Sequence, residues 1–219
     1  MLITISRQYG AGGSEVARQV AARLGWSVID NDIIDRVARR AGMQPEVVAD
    51  LDERVPGFVE RLARALAASS QELAVPELGL VVRAPEPNLV RLTELVVKEA
   101  AAEGRVVLVG RAAPAVLGAV ADALHVKLVA PRAFRLQLAM ETDQLDARTA
   151  ERVLDQTDAQ RARYHREHYQ RDWDNPIHFH MLLNTGLLGL EGATDLIVAR
   201  ARALGWQEAA DQPRPRPLP

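Results

Sequence analysis

A short apolar run, a glycine-rich turn and an amphipathic helical pattern follow one another at the N-terminus. Leu2–Ile5 is apolar, Gly10, Gly12 and Gly13 come next, and apolar residues recur at helical spacing through residues 14–24. Such a turn points backbone N–H groups and a helix N-terminus at one place, where an anion can bind. The segment predicts either a phosphate-binding turn or a glycine turn that only lets the helix pack close to the strand.

Four more short runs with strand character follow, separated by helical patterns. Val106–Val109 and His125–Val129 are almost continuously apolar, which is typical of parallel strands covered on both faces. Trp26–Ile29 and Phe179–Leu183 complete the set. The alternation predicts an α/β protein with a parallel sheet of about five strands. The helices expected around these strands include residues 112–123, 132–141, 147–169 and 192–204.

Composition and charge exclude several classes of protein. The 219 residues carry a formal net charge of −2 and include no cysteine, so disulfides, thiolate catalysis and cysteine-based zinc sites are ruled out. There is no positive excess for binding nucleic acid, and no apolar run reaches the roughly 18 residues of a membrane-spanning helix. With no secretory signal pattern, we expect a cytoplasmic protein with small-molecule partners and leave its oligomeric state open.

The glycine turn departs from the usual phosphate-binding pattern at two positions. Residues 7–14 read RQYGAGGS, whereas the P-loop pattern is G-x-x-x-x-G-K-[ST]. Gly12 and Ser14 agree with the pattern, but Arg7 replaces its first glycine and Gly13 replaces its lysine. Ser14 is a candidate Mg²⁺ ligand, or alternatively the N-cap of the helix.

Three further segments give the chain a family resemblance. Asp30–Arg36 follows the second strand, Val109–Arg111 ends the third, and Asp158–Tyr164 lies on a late charged helix. In this order, with GAGGS before them and LLNTGLLGLEGA after them, they resemble the cytidylate kinase-like branch of the P-loop nucleoside monophosphate kinases over residues 2–204. The resemblance implies a three-layer sandwich, a five-stranded parallel sheet flanked by helices, with a helical insertion and a lid.

The resemblance also implies a division of the chain. Residues 1–42 and 104–210 would form the kinase-like core, with the lid at about residues 144–172. Residues 43–103, which show no convincing strand, would be a helical insertion that binds the acceptor. Residues 211–219 contain PRPRPLP and are expected to be an extended, disordered tail.

Roles for individual residues follow from the same resemblance. Mg²⁺ with ATP would bind at the glycine loop, whose residues are Arg7, Gly10, Ala11, Gly12, Gly13 and Ser14. The acceptor's phosphate would meet Arg36 and Arg111, and Asp30 would also bind the acceptor. The transferring phosphoryl group would meet Arg111 and the lid arginines Arg161 and Arg163, while the lid acid Asp158 would approach the acceptor sugar. Arg166 is a further lid candidate. The implied reaction is phosphoryl transfer from ATP to CMP or dCMP.

Departures from the family pattern keep two other functions open. Gly13 removes a cation expected near the β- and γ-phosphates, for which Arg7 or a lid arginine would have to substitute. Val109 and Ala112 stand where the family has acids on the nucleoside side. The chain could therefore be a non-catalytic nucleotide sensor with a degenerate P-loop, or a kinase of a different small acceptor.

Four histidines in the C-terminal third suggest a metal site as an alternative. His165 and His168 are spaced i, i+3 on a predicted helix, and His178 and His180 flank Phe179. This spacing permits a metal site, but no acid or cysteine completes a zinc pattern. A polar helix face and a strand edge explain the same residues.

Overall fold

The apolar runs of the sequence pair into one parallel sheet in the computed structural model, which describes residues 1–30, 100–118 and 122–206 with positions 90, 94, 97 and 98. The five strands lie in the order β2-β3-β1-β4-β5. Their bounds are β1 Leu2–Arg7, β2 Ser27–Ile29, β3 Val106–Val109, β4 Ala123–Val129 and β5 Met181–Asn184. The predicted five-stranded α/β sheet is confirmed.

Strand register brings the ends of the predicted motifs together. Central β1 pairs with β3 from Leu2↔Val106 onward and with β4 through Arg7↔Leu128. Because all the strands run in parallel, their carboxyl ends share one edge of the sheet. Ligands of open parallel sheets bind outside this edge, and the glycine turn starts there.

Helices flank the sheet on both faces. They are α1 Gly13–Leu24, α2 Ala113–Leu117, α3 Arg132–Asp143, α4 Ala147–Tyr169 and α5 Thr185–Ala203, with a 3₁₀ turn at Pro176–His178. Helix α4 has the bounds that its charge and periodicity predict. It begins where the Asp146 carboxylate accepts a hydrogen bond from the Thr149 N–H at 3.0 Å, which satisfies a first-turn donor.

Two predicted helices differ from the observed ones by more than two residues, whereas α3 extends only two residues beyond its predicted end. The helix expected over residues 112–123 is limited to Ala113–Leu117, so that prediction was wrong at its C-terminal end. Gly118, at φ 56° and ψ −125°, cannot continue a helix, and Ala123 already belongs to β4. The last helix starts at Thr185 rather than at residue 192, and Gly189 interrupts it at φ 70° and ψ 166°.

The two faces of the sheet differ in polarity. On one face, Ile3, Ile5 and Val126 join the buried residues of α1 and α5 in the main apolar core. On the other face, the alternate positions of β1 and β4 are polar and buried, and these are Thr4, Ser6, His125 and Lys127. The apolar face supplies most of the hydrophobic stabilisation, whereas the polar face requires hydrogen-bond partners.

Several predictions fall on residues that the structure does not describe. Arg36, most of the insertion at 43–103, and the tail at 211–219 lie outside the described residues, so the proposed division of the chain remains a prediction. Among the described residues, no helix is long and apolar enough to cross a membrane.

Candidate active site

The glycine turn after β1 is anchored to two other strands. The Gln8 N–H donates to the Leu128 carbonyl at 3.0 Å, and the Gln8 Oε1 accepts from the Ala130 N–H at 3.2 Å. The Thr185 hydroxyl, just after β5, donates to the Ala11 carbonyl at 3.0 Å. The turn is therefore fixed at the carboxyl edge of the sheet before any ligand binds.

Two glycines in the turn have no room for a side chain. Gly10 and Gly12 both have φ of 74°, a left-handed conformation that favours glycine. A Cβ at Gly10 would lie 2.3 Å from the Arg135 carbonyl oxygen, and one at Gly12 would lie 2.4 Å from the Leu190 Cδ2. Helices α3 and α5 thus press directly on the turn.

The backbone N–H groups at the start of α1 are available to an anion. In the hydrogen bonds between described residues, the N–H groups of Gly10, Gly12 and Gly13 are not used. Gly12 is the N-cap of α1, and Ser14 is an exposed residue of its first turn. The interpretation of Ser14 as the N-cap is therefore wrong, while its hydroxyl stays at the turn where a Mg²⁺ ligand is expected.

Arg7 covers the position where a P-loop carries its lysine. A Cβ built at Gly13 would lie 2.6 Å from the Arg7 Cγ and 3.0 Å from the Arg7 Cβ. The Arg7 side chain is 12% exposed, and its guanidinium lies 3.8 Å from the Asp30 Oδ1 at the end of β2. Two predicted site residues, Arg7 and Asp30, are thus brought to the mouth of the glycine turn.

The Asp-x-x-Arg pair of α4 also contacts the turn. The Asp158 Oδ1 accepts from the Tyr9 N–H at 2.8 Å, and the Arg161 Nη1 donates to the Arg7 carbonyl at 2.9 Å. Burial lowers the pKa of Arg161, and the neighbouring Asp158 carboxylate opposes that shift. The structure therefore brings together residues that are about 150 positions apart in the sequence.

The turn after β3 places Arg111 at the same edge. The Gly110 N–H donates to the Ile5 carbonyl at 3.0 Å, and Arg111 and Ala112 both have positive φ, at 54° and 50°. Consecutive left-handed non-glycine residues are strained and occur often at functional sites. Arg163, in contrast, is exposed on α4, and no hydrogen bond or ion pair to a described residue joins it to the turn.

A family assignment follows from comparison with known proteins. The cytidylate kinase-like family matches residues 2–187, most of the chain. The chain belongs to the cytidylate kinase-like family. A crystal structure of an uncharacterised protein from Eubacterium ventriosum ATCC 27560 superimposes with a TM-score of 0.64 at 19% identity, over 93% of this chain and 99% of that one. The family and the sheet order confirm the predicted P-loop kinase fold.

Two kinase structures resemble the chain more weakly. The shikimate kinases of Acinetobacter baumannii and Bacteroides thetaiotaomicron both give a TM-score of 0.49, at 14% and 15% identity. They cover 93% and 94% of this chain, and 93% and 98% of their own lengths are matched. At this similarity they have no bearing on function. None of the curated proteins compared matches the chain.

Arg135 belongs to the candidate site of this cytidylate kinase-like family member but is not among the residues that the sequence predicts. Its Nη1 donates to the Asp158 Oδ2 at 2.6 Å and to the Tyr9 carbonyl at 3.4 Å, and it is buried. Arg135 and Ala139 form the buried stripe of α3, so their i, i+4 spacing was the available signal. Arg135 joins α3 to α4 across the turn.

Tyr9 is held in the turn from both ends. Its N–H binds Asp158, and its hydroxyl donates to Asp143 at the end of α3. Burial and the Asp143 carboxylate raise the pKa of the Tyr9 hydroxyl to about 12, so the hydroxyl stays protonated and remains a donor. Tyr9 therefore adds a link between the turn and α3.

Lys127 is a second residue that the sequence did not single out as functional. Its ammonium donates to the Trp173 carbonyl and the Asp174 Oδ1, both at 2.6 Å, and lies 4.0 Å from the centroid of the Trp173 ring. The Trp173 Nε1–H donates to the Ser6 hydroxyl at 3.1 Å. Burial lowers the pKa of Lys127, and Asp174 opposes the shift. These contacts fasten the segment after α4 to the polar face of the sheet.

A cavity of about 460 Å³ lies beside that segment. The Arg171 Nη1 at its wall donates to the Pro114 carbonyl at 3.1 Å, which ties the wall to α2 just after Arg111. The cavity carries two arginines and one buried indole, and its lining residues are Ala162, Arg166, Gln170, Arg171, Asp172 and Trp173. The lid candidate Arg166 faces this space rather than the glycine turn.

The histidines have structural contacts. The His180 Nδ1 accepts from the His125 N–H at 2.8 Å, and the two rings stack at 5.1 Å. Within the described ranges, no three histidine, aspartate or glutamate side chains converge as metal ligands. His180 directly precedes the edge strand β5, as the strand-edge interpretation expects. The interpretation of a polar helix face is wrong for His165, which is buried in α4.

Proposed function

We propose that this chain is a nucleoside monophosphate kinase that transfers a phosphoryl group from ATP, with Mg²⁺, to CMP or dCMP in the cytoplasm. One observation carries the proposal. The Asp-x-x-Arg pair of α4 meets the glycine turn, with the Arg161 Nη1 2.9 Å from the Arg7 carbonyl and Asp158 on the Tyr9 N–H. Family membership supports kinase chemistry for this arrangement.

The donor side of the proposed site uses the turn and the start of α1. Phosphoryl transfer needs positioning and positive charge more than covalent help from the protein. The N–H groups of Gly10, Gly12 and Gly13 and the N-terminus of α1 would hold the β- and γ-phosphates. The Ser14 hydroxyl would hold Mg²⁺, which neutralises part of the phosphate charge when it is bound.

Two lid residues of the proposed site, Asp158 and Arg161, already have partners. Arg161 would place its charge on the transferring group, and Arg163 would join it from the same helix. Asp158 accepts from Tyr9, Arg135 and Arg161, so it can reach an acceptor sugar only by exchanging one of these contacts. The proposal therefore includes a rearrangement of this network when both nucleotides are bound.

Arg111 is the acceptor-side residue best placed among those described. It follows β3 at the carboxyl edge of the sheet, and the Gly110 N–H binds β1 directly before the glycine turn. An arginine there can hold the acceptor's phosphate in a bidentate manner. We include Asp30 and Arg36 on this side, and the insertion at 43–103 as the acceptor-binding segment. Val109 and Ala112 replace the acids of the family pattern on the nucleoside side, so the experiment compares several bases.

The experiment measures ADP formation from ATP-Mg²⁺ with CMP, dCMP, UMP, AMP and GMP. We expect turnover on CMP or dCMP and a loss of at least about a hundredfold in Arg111→Ala. The matched control is Arg200→Ala, an exposed arginine on α5, which should leave turnover unchanged. If the protein phosphorylates one of the other monophosphates and neither CMP nor dCMP, that monophosphate is the substrate.

A thermal-shift measurement separates the enzyme from a nucleotide sensor. A ligand that binds only the folded state raises the melting temperature in proportion to the logarithm of its concentration over Kd. Stabilisation by ATP without turnover on any acceptor would identify a non-catalytic nucleotide-binding protein. The absence of both turnover and stabilisation would contradict nucleotide binding at this turn.

A further inference from the structure

We propose that Arg7 supplies, from the first position of the turn, the cation that a P-loop lysine supplies from the seventh. In the pattern G-x-x-x-x-G-K-[ST], glycine is first and lysine is seventh. In this chain the first position of the pattern is Arg7 and the seventh position is Gly13. The cation and the glycine are therefore interchanged. The inference rests on the proposed nucleotide binding and specifies how the turn neutralises phosphate charge.

The contact between Arg7 and Gly13 explains why the two replacements occur together. A Cβ at residue 13 would lie 2.6 Å from the Cγ, 3.0 Å from the Cβ and 3.2 Å from the Cδ of Arg7. These atoms are near the backbone end of the arginine, so swinging its guanidinium away would not make room. A side chain at position 13 therefore requires the Arg7 side chain to leave its present rotamer or the two backbones to move apart.

The location of Arg7 allows its guanidinium to bind a phosphate at the turn. Its side chain leaves β1 on the same face as Ile3 and Ile5, toward the start of α1, and is only 12% exposed. The Asp30 Oδ1 lies 3.8 Å from the guanidinium and orients it beside the turn. A guanidinium can bind two phosphate oxygens at once and keeps its charge at every ordinary pH.

Arg161 supports this arrangement rather than replacing it. Its Nη1 donates to the Arg7 carbonyl at 2.9 Å and to the Asp158 Oδ1 at 3.4 Å. The lid arginine thus fixes the backbone from which the Arg7 side chain starts. Of the two arginines, Arg7 is the one whose side chain lies against Gly13, where the side chain of the consensus lysine would begin.

A charge-removal variant tests the cation. Arg7→Met keeps a methylene stem over Gly13 and removes the guanidinium. We expect the Kd for ADP and for ATP-Mg²⁺, measured by isothermal titration calorimetry, to rise about ten- to a hundredfold. Arg18→Ala is the matched control, since Arg18 is an exposed arginine of α1 paired with Glu15. It should bind as the wild type does.

A position swap tests the exchange itself. The double variant Arg7→Gly/Gly13→Lys converts residues 7–14 into a full G-x-x-x-x-G-K-S pattern. We expect each single change to weaken ADP binding at least about tenfold, and the double variant to return to within about threefold of the wild type. Melting temperatures without nucleotide show that each variant is folded.

The outcomes separate the two proposals. If the wild type does not bind ADP, the proposed function fails and this inference fails with it. If the wild type binds ADP and a folded Arg7→Met binds it equally well, the inference alone is overturned. A folded double variant that binds no better than Arg7→Gly would also overturn the exchange.

Discussion

The Asp158 carboxylate accepts a hydrogen bond from the Tyr9 backbone N–H at 2.8 Å, and this contact attaches helix α4 to the glycine turn. The same carboxylate binds Arg135 at 2.6 Å. The Asp158 side chain is 17% exposed, so these charged groups depend on one another for the interactions that water no longer provides. A movement of α4 therefore changes the partners of the turn.

We expect Asp158→Asn to be destabilising because it leaves Arg135 and Arg161 without their counter-charge. The loss should be about 2–4 kcal/mol in the free energy of unfolding, measured by urea denaturation. Asp155→Asn is the matched control, because Asp155 lies one turn earlier on α4 in an exposed ion pair with Arg132. A comparable loss in both variants would show that the Asp158 network does not stabilise the turn.

Gly10→Ala should disrupt the turn. The substitution places a Cβ 2.3 Å from the Arg135 carbonyl at a φ of 74°, which combines a clash with backbone strain. A loss of at least about 2 kcal/mol and weaker ADP binding are expected. Gly192→Ala in α5 is the control, since its Cβ would meet only the Leu188 Cβ at 3.6 Å. If both alanines are tolerated equally, the close approach of α3 is absent in solution.

His165 should make stability depend on pH. Burial, together with the charges of Lys127, Arg171 and His178, lowers its pKa from 6.5 to about 4. Between these values the unfolded chain binds the proton and the folded chain does not, so stability is complete above pH 6.5 and falls as the pH drops toward 4. The loss by pH 4 approaches about 3 kcal/mol.

The measurement for His165 is urea denaturation of the wild type and His165→Gln between pH 7 and 4. Glutamine keeps a polar side chain but does not titrate, so the variant should lose less stability across this window. Burial also lowers the pKa of His125, and a residual slope of the same sign is therefore expected. Identical slopes for the two proteins would exclude His165 as a source of the dependence.

Lys127→Met should loosen the segment after α4. The change leaves the Trp173 carbonyl, which is buried against Lys127, without its donor, at a cost of about 1–3 kcal/mol. Hydrogen exchange should accelerate at residues 171–174 more than in β4. The other lysine gives the control, because Lys98→Met removes an exposed ion pair with Glu94. Unchanged exchange at residues 171–174 would show that Lys127 does not hold this segment.

The parts of the fold that depend on local pattern could be predicted from the sequence. Val106–Val109 and the bounds of α4 agree with the predictions because apolar runs and charged periodicity are local properties. The helix predicted over residues 112–123 is longer than the observed one because the positive φ of Gly118, which ends it, cannot be read from a local pattern.

The partners within the candidate site could not be predicted in the same way. Asp158 and Arg161 were identified through the family resemblance, but Arg135 is one arginine among many in a charged region. Only tertiary packing decides which arginine is buried against Asp158. Lys127 was missed for a related reason, since its partners Trp173 and Asp174 lie 46 and 47 positions away.

The anchoring of the glycine turn has a consequence for biosynthesis. The turn is held by contacts of Tyr9 with Asp158, of the Arg7 carbonyl with Arg161 and of Ala11 with Thr185, over separations of 149, 154 and 174 positions. During translation the ribosome makes the turn well before it makes these three partner residues. The turn at the start of the sequence is therefore completed only after about residue 185 has left the exit tunnel, so a nascent chain that stops earlier lacks a finished nucleotide cradle.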